Sequence, residues 1–126
     1  MEELKEIPAL AATGEALARY ALSLIPGSSF VKMRKPRGWV CKPNFIAFEI
    51  QSRRRKQIKF TIYRVPYDYE EYPVLPLQST RNYSYHEFVV ETPRQLGAAA
   101  VYIARAATKC ARRKHQQDWE KGIGKL

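Results

Sequence analysis

Four consecutive cations, Arg53, Arg54, Arg55 and Lys56, lie between two runs of alternating apolar and polar residues, FIAFEIQ before them and QIKFTIY after them. The alternation predicts two antiparallel strands, which puts the four charges in the connecting turn. A solvated turn needs polarity, but not four like charges that repel one another. A polyanion would relieve that repulsion. Arg and Lys on a projecting β-ribbon reach phosphates on both sides of a groove, and each neutralised phosphate releases counterions. Lys32, Arg34, Lys35 and Arg37 surround the turn signal KPRG of a preceding hairpin and offer a second grip. Lys59 and Tyr63 share the mixed face of the strand after the arginines, where an exposed aromatic beside a cation can stack a base. Trp39 and Phe45 are the other aromatics interleaved with this charge. A further stripe, Arg105, Lys109 and Arg112, continuing to Arg113 and Lys114, recurs on one face of the last predicted helix. It is either a secondary basic face or a solvated face with cations near the helix C-terminus.

The formal net charge is +10, and its distribution is uneven. Residues 32–64 carry eleven cations against Glu49 alone, and residues 92–126 carry eight against two acids. Residues 65–91 hold five acids against Arg81. Charge concentrated in this way points to a polyanion, with DNA favoured over RNA, or to an acidic protein. The alternative function is therefore a protein-interaction module, an adaptor or inhibitor, whose basic face docks an acidic partner. A homodimer remains open.

Signs of catalysis are sparse. His86 and His115 are the only histidines. His86 falls on a strand face with Phe88 and Val90, which suits a structural role. Glu49 and Gln51 share a strand face in FEIQ, like the second half of the acidic strand motif of restriction-type nucleases, but no Asp precedes Asp68. Such sites need that upstream acid to share the metal. Asp68, Glu70 and Glu71 are adjacent loop acids of the kind that solvate a loop. No phosphate-binding loop is present. Cys41 and Cys110 match no metal spacing and read as two buried thiols. The expectation is a non-enzymatic protein without metal or cofactor.

These side chains need a scaffold. With 126 residues, 45% of them hydrophobic, the chain can bury one core. No apolar run is long enough to span a bilayer. The acidic start MEELKEIPAL is unlike a secretory leader, so a soluble cytoplasmic protein is expected. Residues 1–12 read as an arm, 13–116 as a single α+β domain and 117–126 as a tail. Thr13 is the expected cap of a helix reaching Ile25, with Leu17, Tyr20, Ala21 and Leu24 at helical spacing. Two hairpins follow. Ile46, Phe48 and Ile50 on one strand, and Ile58, Phe60 and Ile62 on the next, are the core-facing sets. The acidic Pro/Tyr-rich segment 65–82 is too long for an ordinary loop and should either pack on the body or carry function. YSYHEFVVE is a further strand. Thr92-Pro93-Arg94-Gln95 then has the form of a capping box opening the last helix, with Leu96, Ala99, Ile103, Ala106 and Cys110 on one face. The expected architecture is a single antiparallel sheet of about five strands, with an N-terminal and a C-terminal helix on one face.

In this order of elements the chain resembles a small bacterial domain of unknown function labelled "predicted transport protein", which occurs alone or appended to restriction-type DNA-modification proteins. The resemblance covers roughly residues 16–108. It rests on FIAFEIQSRRRKQIKFTIY as the central hairpin and YHEFVVETPRQLGAAAVYIARAA as the final strand and helix. The family's Gly- and Trp-rich segment before the last strand is replaced here by LQSTRNYSY. The arrangement is also similar to the double-wing DNA-binding domain of a phage transcription activator, in which strands rather than a recognition helix meet DNA. Neither resemblance implies an enzyme activity. From the residues themselves, the expected contact is through the uncovered sheet face and its basic tips.

Overall fold

The computed structural model describes residues 2–63, 70–79 and 85–124, with only the backbone course described for Tyr63 and residues 113–124. Helix α1 runs Pro8–Leu24 and helix α2 runs Leu96–Gly124. Between them come β1 (Ser29–Lys32), β2 (Gly38–Lys42), β3 (Ile46–Gln51), β4 (Gln57–Tyr63), β5 (Gln78–Ser79) and β6 (Tyr85–Val90). The strands form one antiparallel sheet in the order β1-β2-β3-β4-β6-β5, one strand more than expected. The additional member is the two-residue β5, which pairs Gln78 with Glu87 and Ser79 with His86.

The period of two places the central strands as expected. Ile46, Phe48 and Ile50 pair across with Ile62, Phe60 and Ile58, and all six are buried on the side that carries the helices. The same side of β6 supplies His86, Phe88 and Val90. A row of rings crosses the sheet there. Phe30 meets Phe48 edge-on at 5.2 Å, Phe60 stacks on Phe88 at 5.1 Å, and Phe88 reaches Tyr102 of α2 at 5.3 Å. Tyr102 is fully buried although it falls outside the face expected for α2, whereas Leu96, expected on that face, is exposed.

The N-terminus differs from the expected loose arm. Glu2–Glu6 form a 3-10 turn, and α1 begins at Pro8, whose missing N–H costs nothing at the first helical position. Leu4, Ile7 and Leu10 enter the core with Leu17 and Ala21. Thr13 is therefore a buried residue inside the helix and not its cap, and Tyr20 lies exposed. Gly14 permits the packing, because a Cβ there would lie 2.7 Å from Leu4 Cδ2 and 2.8 Å from Ile58 Cδ1.

At the far end, the first turn of α2 is the 3-10 segment Pro93–Gln95. Gln95 Oε1 accepts from the backbone N–H of Glu91 at 2.7 Å and of Thr92 at 3.2 Å, the Gln half of the expected box. Its Nε2 donates to the Val74 carbonyl at 3.0 Å, tying the helix start to the segment before β5. The helix continues to Gly124, through most of the expected tail. Residues 70–77 pack on the body as anticipated. Leu75 is buried, and the Tyr102 hydroxyl accepts from Tyr72 N–H at 2.8 Å while donating to the Leu75 carbonyl at 2.7 Å. Residues 65–69 and 80–82 of the expected acidic connection, including Asp68, lie outside the described residues.

Candidate functional site

Successive antiparallel strands reverse direction at alternate ends, so the β1–β2 and β3–β4 turns emerge at the same end of the sheet. The two turns are joined by backbone: Ile50 N–H donates to the Arg37 carbonyl at 3.0 Å. Within the first turn, Met33 N–H donates to the Gly38 carbonyl at 2.9 Å and Gly38 N–H to the Lys35 carbonyl at 3.2 Å. Arg37 closes this turn with φ of 65°, a left-handed conformation rare for a residue with a Cβ. The second turn carries Ser52 to Lys56, with Gln57 Nε2 donating to Gln51 Oε1 at its base.

Between the turns lies an open cavity of about 630 Å³. Lys35 and Arg37 of the first turn line it together with Arg53, Arg54 and Arg55 of the second, and among the described residues Glu49 is the single carboxylate of the lining. The structure thus brings seven of the expected contacts to one corner: Arg34, Lys35, Arg37, Arg53, Arg54, Arg55 and Lys56 all belong to the two turns.

Their surroundings divide them. Arg37 donates to Ser52 Oγ and, at 3.2 Å, to Glu6 Oε1, while Ser52 Oγ donates to Glu6 Oε2 at 3.1 Å. Lys35 pairs with Glu49 at 2.8 Å, and Lys59 with the same carboxylate at 3.6 Å. Arg34, Arg53, Arg54, Arg55 and Lys56 are exposed and make no ion pair among the described residues.

Several expected contacts sit elsewhere. Lys32 lies opposite Trp39 on the helix-covered side, 4.9 Å above its ring, and is paired with Glu3. That hydrogen bond, helped by a backbone one, holds the Glu3 carboxyl below the ordinary range. Trp39 is packed against the core, so it is no base-stacking platform. Phe45 is completely buried. A tight turn, with Phe45 N–H donating to the Pro43 carbonyl at 3.1 Å, precedes β3 and sends the ring inward against the strand parity. Tyr63 pairs with Tyr85 in register and shares the parity of Lys59, while its side chain lies outside the described atoms.

The uncovered face itself is mixed. It presents Val31, Met33, Val40, Ala47, Thr61 and Tyr85, together with the exposed Lys42 and with Glu49 and Glu87, and its Lys59 is paired with Glu49. The densest positive charge is at the rim.

The stripe on α2 also divides. Arg105 is structural: it donates to the Glu70 carbonyl at 3.0 Å and to the Tyr72 hydroxyl at 3.3 Å, and lies over the Tyr72 ring. Lys109 and Arg112 line a shallow depression beside it, with Arg112 exposed.

Among the described residues, no three His, Cys, Asp or Glu side chains gather into a metal-holding group, and no helix is long and apolar enough to cross a membrane. His86 is buried on the core-facing side of β6. Cys41 is buried and Cys110 half-buried; both are free thiols, and burial pushes the Cys41 thiol up.

Sequence reasoning missed the acids that answer these cations. Glu3 and Glu6 lie in the segment read as an arm, 29 and 31 residues from Lys32 and Arg37. Their spacing in a short acidic helix was the available signal. No family model, curated protein or solved structure gives a significant match to the chain.

Proposed function

We propose that the protein binds nucleic acid, double-stranded DNA in preference to RNA, by holding phosphates at the sheet end where its two basic turns meet. One observation carries this reading. Arg34, Arg53, Arg54, Arg55 and Lys56 crowd one corner with no ion pair among the described residues, while each neighbouring cation of the corner, Lys35, Arg37 and Lys59, has a carboxylate. Internal acids are within reach of this corner, yet the densest charge is left to solvent. Exposed guanidinium groups on a projecting turn suit bidentate contact with phosphate oxygens. The contact area is then centred on the rim of the sheet. The resemblance to a domain whose strands meet DNA supports the same reading. The function is one of binding, without a catalytic step.

A second reading has its own observation. The first turn already accepts protein carboxylates, since Glu6 occupies Arg37 and Ser52. An acidic protein segment can engage the remaining cations by the same chemistry.

Fluorescence anisotropy with a labelled random duplex separates the two. Wild type should bind saturably at low salt. Replacing Arg53, Arg54 and Arg55 by Ala should weaken binding to all sequences alike and flatten the plot of log affinity against log salt by about 0.9 per lost contact, up to about 2.7 for three. Stability should hardly change, because these side chains make no ion pair. Absence of saturable binding by wild type sinks the nucleic-acid reading. A single protein partner retained after nuclease treatment favours the second.

A further inference from the structure

The cavity between the turns has a shape that a groove-following contact does not require. A phosphodiester inside a continuous strand extends in both directions and lies along a surface. A terminal phosphate has chain on one side only, so it can enter between two walls. It also carries nearly two negative charges near neutral pH, because its second pKa is about 6. The cavity suits such a group. Arg53, Arg54, Arg55, Lys35 and Arg37 line one open space of about 630 Å³, and the Ile50 to Arg37 backbone bond ties the first turn to the strand that leads into the second.

From this we infer that the cavity receives a phosphate monoester at a nucleic-acid end. The inference rests on the nucleic-acid reading above and names the part of the ligand that the cavity takes. Glu49 sets the balance of charge in it. Among the described residues it is the only acid of the lining, and it engages Lys35 at 2.8 Å and Lys59 at 3.6 Å. Making Glu49 neutral removes a charge that opposes the incoming phosphate and frees Lys35, which lines the cavity, for it.

The test uses one duplex sequence in three forms: with 5′-hydroxyl ends, with 5′-phosphate ends, and closed by hairpin loops so that no end exists. Anisotropy competition ranks them for wild type, Glu49→Gln and Lys35→Gln, with melting curves to check folding. The phosphorylated form should bind about threefold or more tighter than the hydroxyl form, and the closed form no better than the hydroxyl form. Glu49→Gln should widen the phosphate-to-hydroxyl ratio by about a further threefold, the effect of one unit charge at close range in a solvated site. Lys35→Gln should narrow it. Reading the ratio removes the general effect of net charge. Equal binding of all three forms, with the ratio unmoved in both variants, overturns the inference and leaves duplex binding standing. Failure of every form to bind overturns both. Displacement of the phosphorylated duplex by a deoxynucleoside 5′-monophosphate at equal concentration would make the ligand a free nucleotide and overturn the assignment to an end.

Discussion

Replacing Tyr102 by Phe removes one oxygen atom from the least accessible part of the molecule. Tyr102 is fully buried, and its ring lies 5.3 Å from Phe88 and 5.6 Å from Tyr72, contacts that Phe would keep. The hydroxyl has two partners, Tyr72 N–H at 2.8 Å and the Leu75 carbonyl at 2.7 Å. Burial pushes the phenol up from its ordinary value, so the hydroxyl keeps its proton and can donate throughout the neutral range. The substitution leaves a backbone donor and a backbone acceptor without their partner. Each buried group left unsatisfied costs about 1–3 kcal/mol. Tyr72 is half-buried and its N–H regains some water, whereas Leu75 is buried, so the total should be about 2–3 kcal/mol. Urea unfolding followed by circular dichroism should show a midpoint lower by on the order of 1 M, with unchanged slope, given slopes of about 1–3 kcal/mol/M. A loss under about 0.5 kcal/mol would refute the idea that this hydroxyl pins the segment before β5 to α2.

Gly14→Ala should lower stability by about 1 kcal/mol, because overpacking against Leu4 and Ile58 outweighs the gain in helix propensity; chemical denaturation measures it, and a more stable variant would mean that Leu4 yields freely. Glu3 has a lowered carboxyl pKa, so its contribution is complete above the ordinary carboxylate range and is lost as pH falls through the lowered folded value. The protection factors of the Leu4 and Ile7 amides, corrected for the intrinsic pH dependence of exchange, should therefore fall on acidification in wild type; the same fall in Glu3→Gln would contradict this origin. Gln95→Ala removes the acceptor for two backbone N–H groups and the bond to Val74, and should cost about 1–2 kcal/mol by urea unfolding. Arg94→Ala, at the exposed neighbouring position, should be silent in the same assay, and an equal loss in both variants would contradict the role given to Gln95.

The central hairpin was legible because β-branched and aromatic residues alternate over both strands with only one register that buries both sets. The basic turns followed from it, since a run of cations between two strands has nowhere else to go. The start of α1 was not legible for a different reason. Residues 1–12 read as an arm and Thr13 as a cap, and only tertiary burial of Leu4, Ile7 and Leu10 decides for the longer helix. Phe45 escaped the parity argument because it stands one residue before β3, where the turn from Pro43 still sets its direction. Which cations would be paired could not be read from spacing at all. Glu49 meets Lys35 and Lys59 only after three strands have aligned, and Arg105 is claimed by Glu70 and Tyr72 across the fold.

The bond between Ile50 N–H and the Arg37 carbonyl gives the two turns a common mechanical frame, reinforced by Ser52 and Glu6 on the Arg37 guanidinium. Two independent fingers would close around ligands of many widths and lose conformational freedom each time. Fingers held on one frame have already lost it, so the gap between them works as a caliper. For the binding proposed above, ligands that match the opening would gain affinity mainly through slower release.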